Sequence, residues 1–261
     1  TGNAADINLL LIKLLTDAGL KVRPILLSSR DNGLAAPSYP DEFQFNWIMA
    51  YVGINEKYFV LDATDKIINY LITPEKVVNT NGFILEGENG RWKEILSGRY
   101  RYKVMSAVQG EIDPDGNMKG SCLVNCYDYA RVQRCEGWTK NEAKFKEDYF
   151  LKPYPFARVE ELTINNSTAD SLPLEQKVKF SSVLNSSGNY RYFTVNLFSD
   201  LDRNMFIAEN RSSDIDFGVQ QQHDGFGVFY RSGFHHSKSF IKRQFQHIDV
   251  FLNAREGRET Y

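Results

Sequence analysis

Residues 43–64 read FQFNWIMAYVGINEKYFVLDAT, and the fold of the first half of the chain turns on them. Two apolar runs, 45–54 and 57–62, flank Asn55 and Glu56, a spacing that predicts a two-residue hairpin. With those two residues as the loop, Ile54 pairs with Lys57 and Trp47 falls opposite Thr64. Asp62 then shares a face with Trp47, one diagonal step away. Both faces of the two runs are apolar, so the hairpin is expected inside a sheet.

Working upstream, residues 1–29 read TGNAADINLLLIKLLTDAGLKVRPILLSS. Ile7, Leu10, Leu11, Leu14, Leu15 and Ala18 recur at helical spacing, and Leu9 and Ile12 widen the stripe. A helix over 6–18 is expected, with Leu10, Leu11 and Leu14 nearly inaccessible to solvent. Asp6 suits the positive N-terminal end, and Gly19 stops the helix. Strand VRPILLSS follows, then a loop, RDNGLAAPSYPDEF, rich in turn residues. The helix should pack on a sheet containing 22–28, 45–54 and 57–62. Thr1 stands directly against the helix, which reads as the start of a fragment.

Downstream, residues 66–98 mix turns such as NTNG and EGENG with a lone Trp92. A boundary is expected near Ser97 and Gly98. Beyond it come repeated strand patterns: YKVMSAVQGEI, KGSCLVNCYDYAR, FARVEELTIN, LEQKVKFSSVL and NYRYFTVNLF. TKNEAKFKEDYFL suits a short helix. Asp113, Asp115 and Asn117 resemble half of a calcium loop, but the distal ligands are missing, so DPDGN reads as a hairpin turn. Sequons begin at Asn165, Asn166, Asn185 and Asn210. All four histidines, 223, 235, 236 and 247, fall in a last segment that reads as weakly packed.

The 261 residues carry a net charge of −2, which offers no electrostatic case for nucleic acid or an anionic membrane. No run of 18 apolar residues exists, so no transmembrane helix is expected. Aromatics at 13% lean toward strands. Of the three cysteines, Cys122 and Cys126 sit four residues apart on one strand. That is about 13 Å, too far for a disulfide. Reduced, buried thiols are expected, with no metal site and no cofactor.

GNAADINLLLIKLLTDAGLKVRPILLSSRDNG, FNWIMAYV and YFVLDAT together resemble the transglutaminase-like (papain-like thiol) superfamily. The likeness is to proteins of the Bacteroidetes type, in which the core is flanked by β-sandwich domains. Residues 1–95 carry it, and YARVQRCEGW and SSDIDFG extend it more loosely. The superfamily's chemistry needs a Cys at a helix N-terminus, a His on an adjacent strand and an Asp on the next. The helix start reads Gly-x-Cys-x-Asp in active relatives and Gly2-Asn3-Ala4-Ala5-Asp6 here. Their strand reads Phe-Asn-His, where this chain has Phe45-Asn46-Trp47. Only Asp62 matches, so Ala4, Trp47 and Asp62 stand as vestigial triad positions. No Cys precedes residue 122 and no His precedes residue 223, so the first domain holds no Cys–His pair by any alignment.

The resemblance implies an α+β chain. Residues 1–97 would form the C-terminal part of a transglutaminase-like core, a helix packed on an antiparallel sheet. An antiparallel β-sandwich-like domain would follow over 98–222, then a tail over 223–261 to which no fold is assigned. Asp62 has two uses, accepting backbone N–H groups at a strand end or serving a site. Trp47 has two as well, core aromatic or cleft platform. Arg30, Asn46, Trp47 and Asp62 are the candidate cleft-binding residues, for a peptide or glycan. The function implied is a pseudoenzyme, a binding or scaffold module of a bacterial cell-envelope protein, placed in the periplasm or envelope by resemblance alone. The alternative is an active thiol hydrolase or transferase whose nucleophile comes from elsewhere.

Overall fold

The computed structural model describes residues 2–39, 41–169, 171–187, 190–193, 197–198, 219–231, 237–244 and 247–254. The chain is α+β and divides into two compact units. The division falls between Arg101 and Tyr102, just past the boundary expected at 97/98, and residues 219 and 220 return to the first unit.

The first unit opens with α1, Ala4–Asp17, followed by β1, Lys21–Leu27. Asn3 caps the helix: its side chain accepts from the Asp6 N–H at 2.9 Å, and Asp6 accepts from the Asn3 N–H at 3.0 Å. This reciprocal pair satisfies two amide groups that the first turn leaves open. Next come β2, Trp47–Ile54, and β3, Lys57–Leu61, then β4, Thr80–Glu86, and β5, Asn89–Ile95. The five strands run in the order β3-β2-β1-β4-β5, all paired antiparallel. Ile54 does pair with Lys57. Asn55 and Glu56 both take positive φ, as a tight hairpin turn demands.

The two sheet faces bury different sets. Val22, Ala50 and Val52 face α1, meeting Leu11, Ile12, Leu15, Leu20 and Leu61. Ile25, Leu27, Met49, Tyr51, Val77, Ile84 and Ile95 form the core of the opposite face, where Trp47 and Val60 pack. The expected burial of α1 needs correction. Leu10 and Leu14 are 59% and 57% exposed, and Leu11 is only half-buried. The side turned to the sheet carries Asn8, which is buried, and the half-buried Leu11, Ile12 and Leu15. The helix is apolar almost all round, so periodicity alone does not select its inward face. One buried polar residue does.

The second unit starts with a long hairpin, β6 at Tyr102–Ile112 and β7 at Asn117–Tyr127. Its turn is DPDGN: the Asn117 N–H donates to Asp113 Oδ1 at 2.8 Å and the Gly116 N–H to the Asp113 carbonyl at 3.1 Å. The segment after Tyr127 is not strand, as the run to Arg131 suggested, but helix α2, Asp128–Lys140. Asp128, at φ 46°, makes the corner. Helix α3, Glu142–Lys146, lies inside the expected short helix. Strands β8, Ala157–Asn165, and β9, Leu174–Val183, follow, then the small hairpin of β10, Asn185–Ser187, and β11, Tyr190–Tyr192.

Strand β12, Gln221–Arg231, runs parallel to β6 and leads on to β13, Ser237–Gln244, and β14, His247–Ala254. The sheet order is β14-β13-β12-β6-β7-β9-β8. Among the described residues, helix α2 packs against β6, β7 and β9, on a face where a sandwich would bring a second sheet. The sheet continues past residue 222, and the expectation of a weakly packed end fails at its start. His223, Gly227 and Phe229 alternate inward along β12. A Cβ on Gly227 would lie 2.8 Å from the Phe229 ring, so the glycine makes room for the aromatic. His235, His236, Asn210 and SSDIDFG lie outside the described residues.

All three cysteines are free and buried. Cys122 and Cys126 share the inner face of β7, and Cys135 lies on α2. Burial pushes the Cys122 and Cys135 thiols up from their ordinary range, against the opposing pull of Arg134 and Arg131 respectively. A small disulfide reagent should therefore leave all three unmodified in the folded protein and titrate all three in denaturant. Rapid modification of any one in the native chain would contradict this burial.

Candidate functional site

Asp62 follows directly on the last residue of β3, and its side chain has no solvent access. Its Oδ1 accepts from the Thr64 N–H at 3.0 Å, the Thr64 hydroxyl at 2.7 Å and Asn8 Nδ2 at 3.0 Å. Its Oδ2 meets Lys76 Nζ at 2.8 Å. Burial by itself would raise the carboxyl pKa. The bonds from Lys76, Thr64 and Asn8 outweigh it and hold the group below its usual value. Asp62 is thus a buried anion with three donors on Oδ1 and the Lys76 ammonium beside Oδ2.

Asn8 is wholly buried and ties α1 to the sheet. Besides Asp62, its Nδ2 donates to the Ile48 carbonyl at 2.9 Å, and its Oδ1 accepts from the Ala63 N–H at 2.8 Å. Ala4 is half-buried one turn earlier on the same helix face.

Trp47 begins β2 on the face turned away from α1. Lys76, in the 3-10 turn Glu75–Val77, lies over its ring with Nζ 3.6 Å from the centroid. The buried indole N–H has no acceptor among the described residues. Its ring, not its polar atom, is what the corner uses. One ammonium group thus bridges Asp62 and the π face of Trp47. Strand position 47 and Asp62 do share a corner, as the hairpin register predicted, but a lysine occupies the space between them.

Arg30 and Asn46 serve neighbouring joints. Asn46 accepts from the Ser29 N–H at 2.8 Å and donates to the Ser29 hydroxyl at 2.8 Å, clamping the end of β1 to the start of β2. Arg30 donates to the Val78 carbonyl at 3.3 Å. With Lys76 on Asp62, this fastens the 76–78 segment to the end of the sheet. Val77 and Val78 are buried there.

Asn8, Thr64 and Lys76 were not among the residues singled out from sequence. Asn8 carries a signal in hindsight, an amide set at helical spacing among inward-facing leucines. Lys76 carries none, since its segment has no periodicity and Asp62 is far away in sequence.

In the second unit, the arginines of YARVQRCEGW act as struts. Arg131 donates to the carbonyls of Leu172 at 3.0 Å and Ala169 at 2.6 Å. Arg134, fully buried, donates to Gln176 Oε1 at 2.8 Å and lies 4.3 Å over the Tyr149 ring. Gln176 in turn donates to Cys126 Sγ at 3.1 Å. A cavity of about 290 Å³ lies elsewhere in this unit, with Met118, Phe156, Leu184 and Phe193 in its walls, and among the described residues that line it none carries a carboxylate, imidazole or thiol.

Among the described residues no group of three or more His, Cys, Asp or Glu side chains is placed to hold a metal ion. Among them, too, no helix is long and apolar enough to cross a membrane. Compared with models of protein families, with curated proteins and with solved structures, the chain matches none.

Proposed function

We propose that this chain is a non-catalytic transglutaminase-like module, serving as a binding or scaffold domain in an extracytoplasmic bacterial cell-envelope protein. The observation that carries the non-catalytic part is Lys76. Its ammonium takes the place between Asp62 and strand position 47 where a general base would work. It is a charged donor with no lone pair, so it orients no imidazole and accepts no proton from a nucleophile. Position 4 is an alanine, and the side chain at 47 faces away from the helix that would present a thiol. The fastened 76–78 segment favours a scaffold over a deep ligand cleft. The compartment and the family rest on the resemblance of residues 1–95.

The alternative, an active thiol enzyme with its nucleophile drawn from elsewhere, meets a physical obstacle. All three thiols are buried, and burial disfavours the thiolate of Cys122 and Cys135.

Amide hydrolysis and transamidation assays distinguish the two. The wild-type chain should match a buffer blank. The double variant Ala4→Cys, Trp47→His should also stay near the blank, because Lys76 still holds Asp62 and the new imidazole would face away from the new thiol. Wild-type turnover that disappears on alkylation and in Cys122→Ser would overturn the proposal.

A further inference from the structure

At the turn end of the β2–β3 hairpin stands a second cluster, about 20 Å along the strand from Trp47 at the rise of extended chain. Tyr58 is 60% exposed, although a tyrosine of this size on a sheet face ordinarily packs inward. Its ring is stacked on Tyr51, with centroids 5.0 Å apart and planes within 9° of parallel. Tyr51 is 5% exposed and belongs to the core. Gly53 lets the exposed ring lie across β2, since a Cβ there would come within 3.2 Å of Tyr58 Cε1. The Arg91 guanidinium reaches to 5.8 Å from the Tyr51 ring centre, and Arg91 Nε pairs with Glu86 Oε1 at 3.0 Å. Arg23, opposite Tyr51 on β1, turns its guanidinium to the Val22 carbonyl.

We propose that Tyr58, backed by Tyr51 with the Arg91–Glu86 pair beside that second ring, is a platform for a neutral pyranose ring of an oligosaccharide. The C–H face of a pyranose carries slight positive charge and suits the negative face of an aromatic ring. Tyr58 is already flattened against a core residue, so binding costs it little side-chain freedom. Sugar hydroxyls need donors and acceptors side by side. Arg91 brings N–H donors and Glu86 brings carboxylate oxygens. Their mutual pairing cancels the charge of Arg91 and Glu86, which favours an uncharged ligand over a strongly anionic or cationic one. This site does not depend on the role of the Asp62 corner.

The test titrates the whole chain with cellotetraose, chitotetraose and maltotetraose, and with a uronic-acid tetramer as the anionic arm. At least one neutral oligosaccharide should bind with a millimolar or tighter dissociation constant. Amide shift changes should centre on 51–58 and 86–91, a readout that needs no variant. Tyr58→Ala should weaken binding about tenfold or more, the scale of one stacked ring, while Tyr58→Phe keeps it. Circular dichroism checks that both variants fold. No binding by any neutral tetramer, tighter binding of the uronate, or shifts confined to other residues would each overturn the assignment, as would binding untouched by Tyr58→Ala in a folded variant.

Discussion

Asn8→Ala should lower the stability of the first unit by about 3 kcal/mol, more than any leucine truncation on the outer side of the same helix. The amide donates to Ile48 and Asp62 and accepts from Ala63. Alanine removes all three bonds and gives water no route to replace them, because the site is closed. It also leaves a small void where α1 meets the sheet. Leu10→Ala and Leu14→Ala supply the contrast. Both side chains are largely in solvent, so each should cost about 0.5 kcal/mol or less. Urea unfolding, followed by hydrogen exchange at the β1 and β2 amides, reports on the right unit. Equal costs for Asn8→Ala and Leu10→Ala would mean that the helix presents a different face to the sheet.

Lys76→Met should cost about 2 kcal/mol at neutral pH, because it strands a buried carboxylate without its cation. The figure sits below that for a fully buried pair, since the Lys76 side chain keeps part of its surface in water. The pH dependence follows from the direction of the Asp62 shift. Its pKa in the folded protein lies below the ordinary value, so the unfolded chain takes up a proton first as pH falls. The stability that the ionised group contributes is complete above the unfolded pKa of about 4 and is lost as pH falls through the lower folded value. Wild type and Lys76→Met should therefore differ at neutral pH and converge in acid. Asp62→Asn placed in the Lys76→Met background should recover part of the loss, since it removes the stranded charge. A Lys76→Met penalty that persists unchanged in strong acid would show that lost packing on Trp47, not the ion pair, is responsible.

The β2–β3 hairpin was the most legible part of the chain. Its register follows from local chemistry, two loop residues able to take positive φ between two apolar runs. The DPDGN turn was legible for the same reason. The helix α1 was legible as a helix but not in its rotation. With leucine or isoleucine on nearly every side, the apolar pattern fitted several faces, and the amide of Asn8 settled it only through partners 40 and 54 residues away. Strand β12 was misjudged because its inward positions alternate His, Gly and Phe, a pattern that does not look like a strand core. It becomes one only beside β6, where Gly110 and Gly227 leave space for Phe229.

The sequence by itself determined that the first domain holds no Cys–His pair, for that is a matter of composition and order. It also determined that Asp62 and Trp47 share a face, because strand alternation and a two-residue loop leave no other register. What stands between them only the tertiary structure decided. Lys76 reaches Asp62 because the chain after β3 crosses back over the sheet and buries Val77 in its core. That return is driven by apolar burial spread over distant strands, and no periodicity within a single segment records it. A side chain's neighbours along the chain state its local conformation; the charge it meets is set by whichever distant segment the core draws in.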